Sequence, residues 1–457
     1  MTAKKNTKIT GILKSLKFFL LALAAMSCAT SVSAYREIDF AVEQNDFAAA
    51  VQAIIRGQEG SSVIYSEKNS IMLFLDKGLL EHYAENYAVS SGDLQNAERL
   101  IEEAYTRSIS EGFFSYIIND NTKAYPGEDF ENIYINVFNA LNYYKRGNIE
   151  SALVEIRKLS MSSGKLDMLA RRYEYTDPNT GESLNSMVQR ETGVSQMPEV
   201  RAVNFSNSAL ARYLGALFYL GNGDTDAARI EFNQIQRAFS ANRNIYRNPI
   251  PEAVEQARNV PPETARLNII SFTGLSPVKR QEEIIHWLPL QHPLLQFATF
   301  RLPVMVKRPS RITRVEAVVD GKGSFDLELL EDIGAVIEET FNARYSNILL
   351  KTYIRTLLKY VVADIAAAVA TKERGDLAGF MVALAGKAGA ELSESADTRM
   401  SRYLPDRAYI GGINLDPGTY SVIINYYSGR NIISRDLYTD VTVNSSGLNL
   451  VESVNLR

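Results

Sequence analysis

From Arg36 to about residue 245, apolar positions recur every three or four residues, the spacing of one face of a helix. The best-formed stretch is Val137–Lys158. It carries Val137, Ala140, Leu141 and Tyr144 on one stripe and Ile149, Ala152, Leu153 and Ile156 on a second. Gly147-Asn148 lies between them and suits a left-handed or capping backbone, so the stretch predicts two helices joined by a tight turn. Three other stretches have the same form: Asn45-Asp46-Phe47 with Ala50 and Ile54, Gly92-Asp93-Leu94 with Ala97 and Ile101, and Gly223-Asp224-Thr225 with Ala228 and Phe232. In each, an alanine follows the Asp or Asn by one helical turn, and a bulky apolar residue follows the alanine by another. Extra helices over 70–88 and 111–119 and a polar insertion over 173–200 fill the unequal gaps between the turns.

Pro249, Pro251, Pro261 and Pro262 then interrupt the helical pattern, and the period changes to alternation. Strands are predicted over 266–273, 284–288, 297–306 and 311–320. A helical insertion follows at about 327–392, with helices over 327–345, 348–371 and 376–392. Four more strands are predicted over 407–413, 419–427, 432–443 and 448–455. Asp416-Pro417-Gly418 reads as the first hairpin turn and Ser428-Gly429-Arg430-Asn431 as the second. The helical phrase, with small residues at the crossings and a Gly-Asp/Asn turn, resembles the tetratricopeptide (TPR) repeat, although its turns lie further apart than the roughly 34-residue period of regular arrays. An unrelated helical bundle with alanine-rich crossings is the alternative. About eight strands with short turns imply a sandwich of immunoglobulin-like type. The expected fold is therefore α+β and multidomain: an irregular TPR-like α-helical array over 36–245, a Pro-rich linker over 246–263, and an immunoglobulin-like β-sandwich over 264–457 that carries the helical insertion.

The first residues predict the compartment. Lys4, Lys5, Lys8, Lys14 and Lys17 precede Phe18–Met26, an apolar run of nine residues. A helix needs about 20 residues to span a bilayer, so this is the pattern of a secretory signal. Ala25-Met26-Ser27-Cys28 resembles the lipobox of bacterial lipoproteins, which makes residues 1–27 the signal peptide, Cys28 the acylated residue and 28–35 a tether. Cys28 is the only cysteine, so no intrachain disulfide forms. Val32-Ser33-Ala34 offers the other cleavage site, after which the protein would be soluble in the periplasm. Ala29 follows the cysteine where such lipoproteins carry Asp for inner-membrane retention, which points to the outer membrane.

Composition narrows the function. Hydrophobic residues make up 46% and charged residues 22%, which excludes wholesale disorder. The net charge is −4, and the leader holds five lysines and no acid, so the remainder is more acidic still. Such a body does not neutralise phosphates, and nucleic acid is excluded as a partner. His82 lies among Leu79, Leu80 and Tyr83 and reads as a packing residue. His286 and His292 flank Trp287 at a spacing that matches no zinc site. No nucleophile elbow, phosphate loop or EF-hand loop is present. We therefore expect no catalytic residues, no metal and no cofactor.

One charged constellation stands out. Lys351, Arg355 and Lys359 form a basic stripe at one-turn spacing, and Ala396-Asp397-Thr398-Arg399 leads to Leu404-Pro405-Asp406-Arg407. It reads either as an anion or partner site, where Arg355 and Lys359 meet Asp397 or Asp406, or as an ion-pair network tying the insertion to the sandwich.

Taken with Cys28, Gly147-Asn148 and Ala152, Gly223-Asp224 and Ala228, and Pro417-Gly418-Thr419-Tyr420, these residues resemble a poorly characterised family of bacterial TPR-containing envelope lipoproteins. The resemblance implies a non-enzymatic scaffold or assembly factor, anchored to a membrane by its lipid. It would hold an envelope protein or peptide segment through the helical array, with Tyr143 and Tyr219 as candidate groove residues or as inter-helix packing. The alternative is a carbohydrate (peptidoglycan)-binding or glycan-processing protein using Tyr409, Tyr420, Tyr426 and Tyr427. Exposure of the same-face pair Tyr420 and Tyr426 on a flat sheet would favour glycan, and their burial against the insertion would favour the scaffold.

Overall fold

The computed structural model describes residues 35–59, 65–110, 123–159, 205, 207–287, 297–345, 348–349, 351–352 and 395–457. Cys28, His292, Arg355, Lys359, the predicted helices over 111–119 and 376–392 and the polar insertion over 173–200 lie outside the described residues. The chain divides into two compact units, Met1–Ser66 and Glu67–Arg457. The fold is α+β.

The first unit contains α1 (Arg36–Glu43) and α2 (Phe47–Glu59). The second carries three further helix pairs: α3 (Ser70–Tyr83) with α4 (Tyr87–Ser110), α5 (Asp129–Lys145) with α6 (149–159), and α7 (Ala209–Gly221) with α8 (Thr225–Ala241). One turn chemistry serves all four pairs. The turn residue is left-handed at Asn45, Glu85, Gly147 and Gly223, with φ of 57°, 64°, 74° and 81°. The next amide then reaches back across the helix end, as Asp46→Ala41, Asn86→Glu81, Asn148→Tyr143 and Asp224→Tyr219, at 2.8–2.9 Å. This satisfies carbonyls that the helix end leaves orphaned. Asp46, Asn148 and Asp224 go on to cap the second helix, accepting from Ala49, Ser151 and Ala227.

The second turn corrects the expectation at Gly92-Asp93. Gly92 lies inside α4, and the turn is at Glu85-Asn86. Counted from Asn86, the small position is Ser90 and the bulky one Leu94, both fully buried. Ser90 keeps the close approach that alanine gives elsewhere and spends its hydroxyl on the Gly78 carbonyl at 2.6 Å. At the same crossing, a Cβ on Gly78 would stand 2.9 Å from a Leu94 methyl.

The Pro-rich segment contains a short helix, α9 (Glu252–Arg258), with Ala253, Val254 and Ala257 buried. Nine strands follow among the described residues: β1 (Ala265–Trp287), β2 (Phe297–Arg308), β3 (Arg314–Val319), β4 (Gly323–Asp326), β5 (Glu328–Asp332), β6 (Pro405–Leu415), β7 (Gly418–Ser428), β8 (Asn431–Val443) and β9 (Asn449–Asn455). The two short strands expected over 266–273 and 284–288 are parts of one long β1. Its first half pairs antiparallel with β6 and parallel with β9, and its second half pairs with β2. β5 adds to the other edge of β6, which completes a five-stranded sheet. The second sheet runs β4-β3-β7-β8. Asp416-Pro417 therefore carries the chain from one sheet to the other and does not close a hairpin. Gly429-Arg430 does close one, pairing Ser428 with Asn431 and placing Gly429 at φ 60°.

The segment 327–345, expected to be helical throughout, begins as β5, and its helix α10 spans 333–345. The free edge of β6 captures Glu328–Asp332. A bulge between Leu329 and Glu331 then turns Glu331 toward the helices.

The odd-numbered residues of β1 (Ala265, Leu267, Ile269) face the second sheet and pack with Val315, Ala317, Val422 and Ile424. The even-numbered residues face the helices. Phe272 meets Phe138 of α5 at 5.1 Å between ring centroids, and Asn268 meets the Tyr213 hydroxyl of α7. Helices, five-stranded sheet and four-stranded sheet thus form three successive layers within the second unit. Because Phe138 is fully buried at the first of these joints, Phe138→Ala is expected to cost about 3–5 kcal/mol in denaturant unfolding. Loss of helical and sheet signals should remain coincident, and separate transitions would contradict a shared core.

Candidate functional site

The strongest chemistry lies in three buried polar joints between the helices and the five-stranded sheet. The first is built on the segment 395–404, which precedes β6. Arg399 grips Asp397 through two nitrogens at 2.8 and 2.9 Å, donates to the Lys123 carbonyl at 2.8 Å and lies over the Tyr125 ring. Burial would raise the Asp397 carboxyl, but Arg399, with Lys279 nearby, more than offsets it and holds Asp397 below the usual range. Two residues on, the Ser401 amide donates to Glu131 of α5 at 2.6 Å. The Ser401 hydroxyl and the Arg402 amide both donate to Asp76 of α3, at 2.9 and 2.8 Å. Lys279 of β1 pairs with Glu128 at the start of α5, and Arg344 of α10 pairs with Glu128 and Asp129.

Glu131 sits at the centre of this joint, accepting also from the Glu128 amide and the Tyr125 hydroxyl at 2.8 Å. Burial, and then the charge of Glu128, push its carboxyl up to about 7 against the partial relief of those hydrogen bonds. Asp406 is likewise pushed up to about 6, by burial and then by Asp332.

The second joint is Glu331, fully buried at the β5 bulge. It accepts from the hydroxyls of Tyr134 (2.8 Å), Tyr246 (2.7 Å) and Ser208 (2.9 Å) and from the Leu210 amide (3.1 Å). Burial leaves its pKa raised despite these donors. One carboxylate thus ties β5 to α5, to the start of α7 and to the segment after α8.

The third joint is His82. Ser90 donates to the Gly78 carbonyl, so it accepts from Asn142 Nδ2 at 2.8 Å, and this turns Asn142 Oδ1 toward His82 Nδ1 at 2.7 Å. Nδ1 is therefore the donor. Nε2 meets Glu452 of β9 at 2.6 Å, with a proton between them. Lys145 stands 3.7 Å from the other Glu452 oxygen. Burial would raise the Glu452 carboxyl, but the charges of His82 and Lys145 bring it below the usual range. His82 is thus a packing residue that also carries a helix-to-sheet hydrogen-bond chain.

The residues singled out from sequence fall as follows. Asp397 pairs with Arg399 and Asp406 with Arg407, the latter at 3.4 Å, so each carboxylate finds its cation within its own segment. Lys351 is half-buried on the described end of the insertion. Tyr143 and Tyr219 are half-buried one turn before their glycines. Tyr143 accepts from Gln95 of α4 at 2.6 Å. It is the neighbouring Tyr144 that reaches the sheet side, donating to the Leu448 carbonyl at 2.9 Å. Tyr420 and Tyr426 share the inner face of the sandwich. Tyr426 is fully buried and Tyr420 packs against the same core, while Tyr409 is buried on the facing sheet. Tyr427 lies on the outer face with the Arg314 guanidinium 3.7 Å above its ring. Sequence reasoning placed Tyr144 on the apolar stripe of its helix and did not single out Tyr134, Glu131, Glu331 or Glu452. The only local signal was a Glu or Tyr at a position where the pattern asks for an apolar residue.

Among the described residues no group of three or more His, Cys, Asp and Glu side chains could hold a metal, and no helix is long and apolar enough to cross a membrane. The lone pairs of Glu131 and Glu331 are directed at protein donors, so what these joints do is hold elements together.

Removing His82 strands Glu452 in the interior. His82→Ala is therefore expected to cost about 3–5 kcal/mol in urea unfolding, and a loss below 1 kcal/mol would contradict a buried pair. Glu131 gives a pH signature. Its carboxyl titrates at about 7 when folded and near 4.5 when unfolded, so between those values the native state holds the extra proton. Its contribution to stability is complete below pH 4.5 and is lost as the pH rises through 7. Glu131→Gln should flatten that span of the stability profile, and an unchanged slope would remove Glu131 as its source. No family profile, curated protein or solved structure matches this chain.

Proposed function

We propose that the protein is a non-enzymatic, lipid-anchored scaffold of the bacterial cell envelope, with TPR-type helix pairs and an immunoglobulin-like sandwich joined into one binding body. The observation that carries this reading is how the buried charges are used. Glu331, Glu131 and Asp76, together with the His82–Glu452 pair, each join a helix to a strand or to the segment before one. That is the construction of a rigid frame.

The geometry also redirects the partner. In a free TPR array the first helices of the pairs line the concave groove. Here α3, α5 and α7 rest on the chain's own sheet. The surface left for a partner is the outer face of the second helices and the rim at the turns. Val154 and Ile230 occupy equivalent places after Gly147 and Gly223, and they are 47% and 54% exposed. Tyr143 and Tyr219 border the same rim. Burial of Tyr426 inside the sandwich weighs against the glycan alternative.

Two experiments test this reading. Cys28→Ala is expected to abolish labelling by a palmitate analogue and to release the protein from membranes. Retention of the variant, with no labelling of the wild type, would remove the anchor. Photo-crosslinkers at Val154 and Ile230 in intact cells should capture an envelope protein, whereas capture of peptidoglycan alone would overturn the scaffold.

A further inference from the structure

Elsewhere in the second unit, buried cations meet carboxylates. Lys279 and Arg344 meet Glu128, Arg399 meets Asp397, and Arg212 of α7 meets Glu231 of α8 at 3.0 Å. Arg266, near the start of β1 on its helical side, is built differently. It is only 7% exposed, and its guanidinium is held by three neutral amides. Nε donates to Asn268 Oδ1 at 3.2 Å, Nη1 to Asn414 Oδ1 at 3.3 Å and Nη2 to Gln256 Oε1 at 3.2 Å. Among the described residues no carboxylate pairs with it. Burial lowers its pKa, and the Tyr213 phenol is the group that works the other way.

The guanidinium is fixed in place from below. It lies against Gly412 of β6, where a Cβ would stand 2.9 Å from Nη2 and 3.0 Å from Cζ, so the absence of a side chain there is what admits it. On the inner side Asn268 is buried, donates to the Asn449 carbonyl at 3.3 Å and meets the Tyr213 hydroxyl. On the outer side stand Gln256 of α9 and Asn414 of β6, both exposed. The charge thus lies one side chain below the surface, behind two solvent-facing amides.

A buried charge costs stability unless an opposite charge offsets it, and amide oxygens carry only partial charge. A guanidinium has five N–H groups in one plane, and three are engaged here. That leaves one on each terminal nitrogen, the pair that a single carboxylate accepts in bidentate fashion. A more highly charged anion fits less well. Gln256 Nε2 already donates to the Glu252 carboxylate at 3.1 Å, which would face it. We propose that Arg266 is a binding site for a monocarboxylate, which takes the outer edge of the guanidinium while Gln256 and Asn414 turn their amide nitrogens toward it. A small free acid and the terminus of a partner chain carry the same group, so the site does not rest on the scaffold reading.

Melting of the full chain tests it. Two probes are compared with chloride at equal ionic strength: acetate, and a short peptide with a free C-terminal carboxylate, whose C-terminal amide is the control. The wild type is expected to melt roughly 2–4 °C higher with at least one of the acids, and Arg266→Met is expected to lose that increment. A response to acetate identifies a small acid as sufficient, and a response to the peptide acid alone identifies a chain terminus. No response to either acid, or the same increment in Arg266→Met or with the peptide amide, would overturn the proposal. Asn414→Asp is the second variant and does not depend on Arg266→Met folding. It supplies a carboxylate to the guanidinium from within the chain, so it should melt above the wild type in chloride and no longer respond to either acid. A lower melting temperature, or a response that persists, would contradict the site.

Discussion

The second unit is organised by the fact that β1 is buried on both faces. A strand covered on only one side alternates apolar with polar. From Ala265 to Thr273 both parities are buried, with Leu267 and Ile269 on one side and Asn268, Ile270 and Phe272 on the other. A sheet built around such a strand has two faces to cover, and three layers are the direct solution. The odd face takes the second sheet. The even face takes the first helix of each pair, which explains why α3, α5 and α7 are the most deeply buried helices. The parallel pairing of β9 with β1 belongs to the same arrangement, since it sets Glu452 on the helical side and Val451 on the sandwich side.

Between the helices and the sheet, apolar contact alone would leave the sliding of one layer over the other poorly determined. The buried charges supply what contact does not. Removing a carboxylate from water costs several kcal/mol, so it is tolerated only where donors converge on it. Around Glu331 those donors come from α5, from the start of α7 and from Tyr246, and they converge in one relative placement of these elements. The same holds for Glu131, whose donors come from the start of α5 and from Ser401. The raised carboxyl of Glu131 shows that its desolvation is only partly offset. These groups therefore act more as specifiers of geometry than as sources of net stability.

The local part of this architecture is legible in the sequence. The last four strands lie within two residues of their predicted limits, because alternation and turn residues are short-range signals. The helix-turn-helix pairs are legible for the same reason. The one misplaced turn shows the limit of that reasoning: glycine is the usual left-handed residue, yet Glu85 takes that conformation while Gly92 continues a helix. The β5 segment reads as helix because its apolar spacing suits one, and only the free edge of β6, far along the chain, makes it a strand. The joints are legible least of all. His82 and Glu452 lie at opposite ends of the second unit, and neither carries a local mark of the other. Asp397 and Arg399 were both visible because they sit in one short segment, but their pairing was not, since Asp397 was expected to meet Arg355 or Lys359.

The unequal spacing of the helix pairs now has a physical account. In a regular solenoid each repeat is positioned only by its neighbours, so an insertion between repeats disturbs the stacking that follows. Here each pair in the second unit has its own attachment to the β part. The α3 pair is held through His82 and Glu452 and through the Tyr83 hydroxyl on the Tyr403 carbonyl. The α5 pair is held through Phe138 and Phe272 and through Tyr134 and Glu331. The α7 pair is held through Ser208 and Glu331. With the sheet as the common reference, residues 160–204 can intervene between two pairs without setting the position of the second. The sheet that covers the inner helices is therefore also what frees the array from a fixed period. The placement of the helix pairs in the second unit thus follows from the sheet beneath their first helices, and not from stacking of one pair on the next.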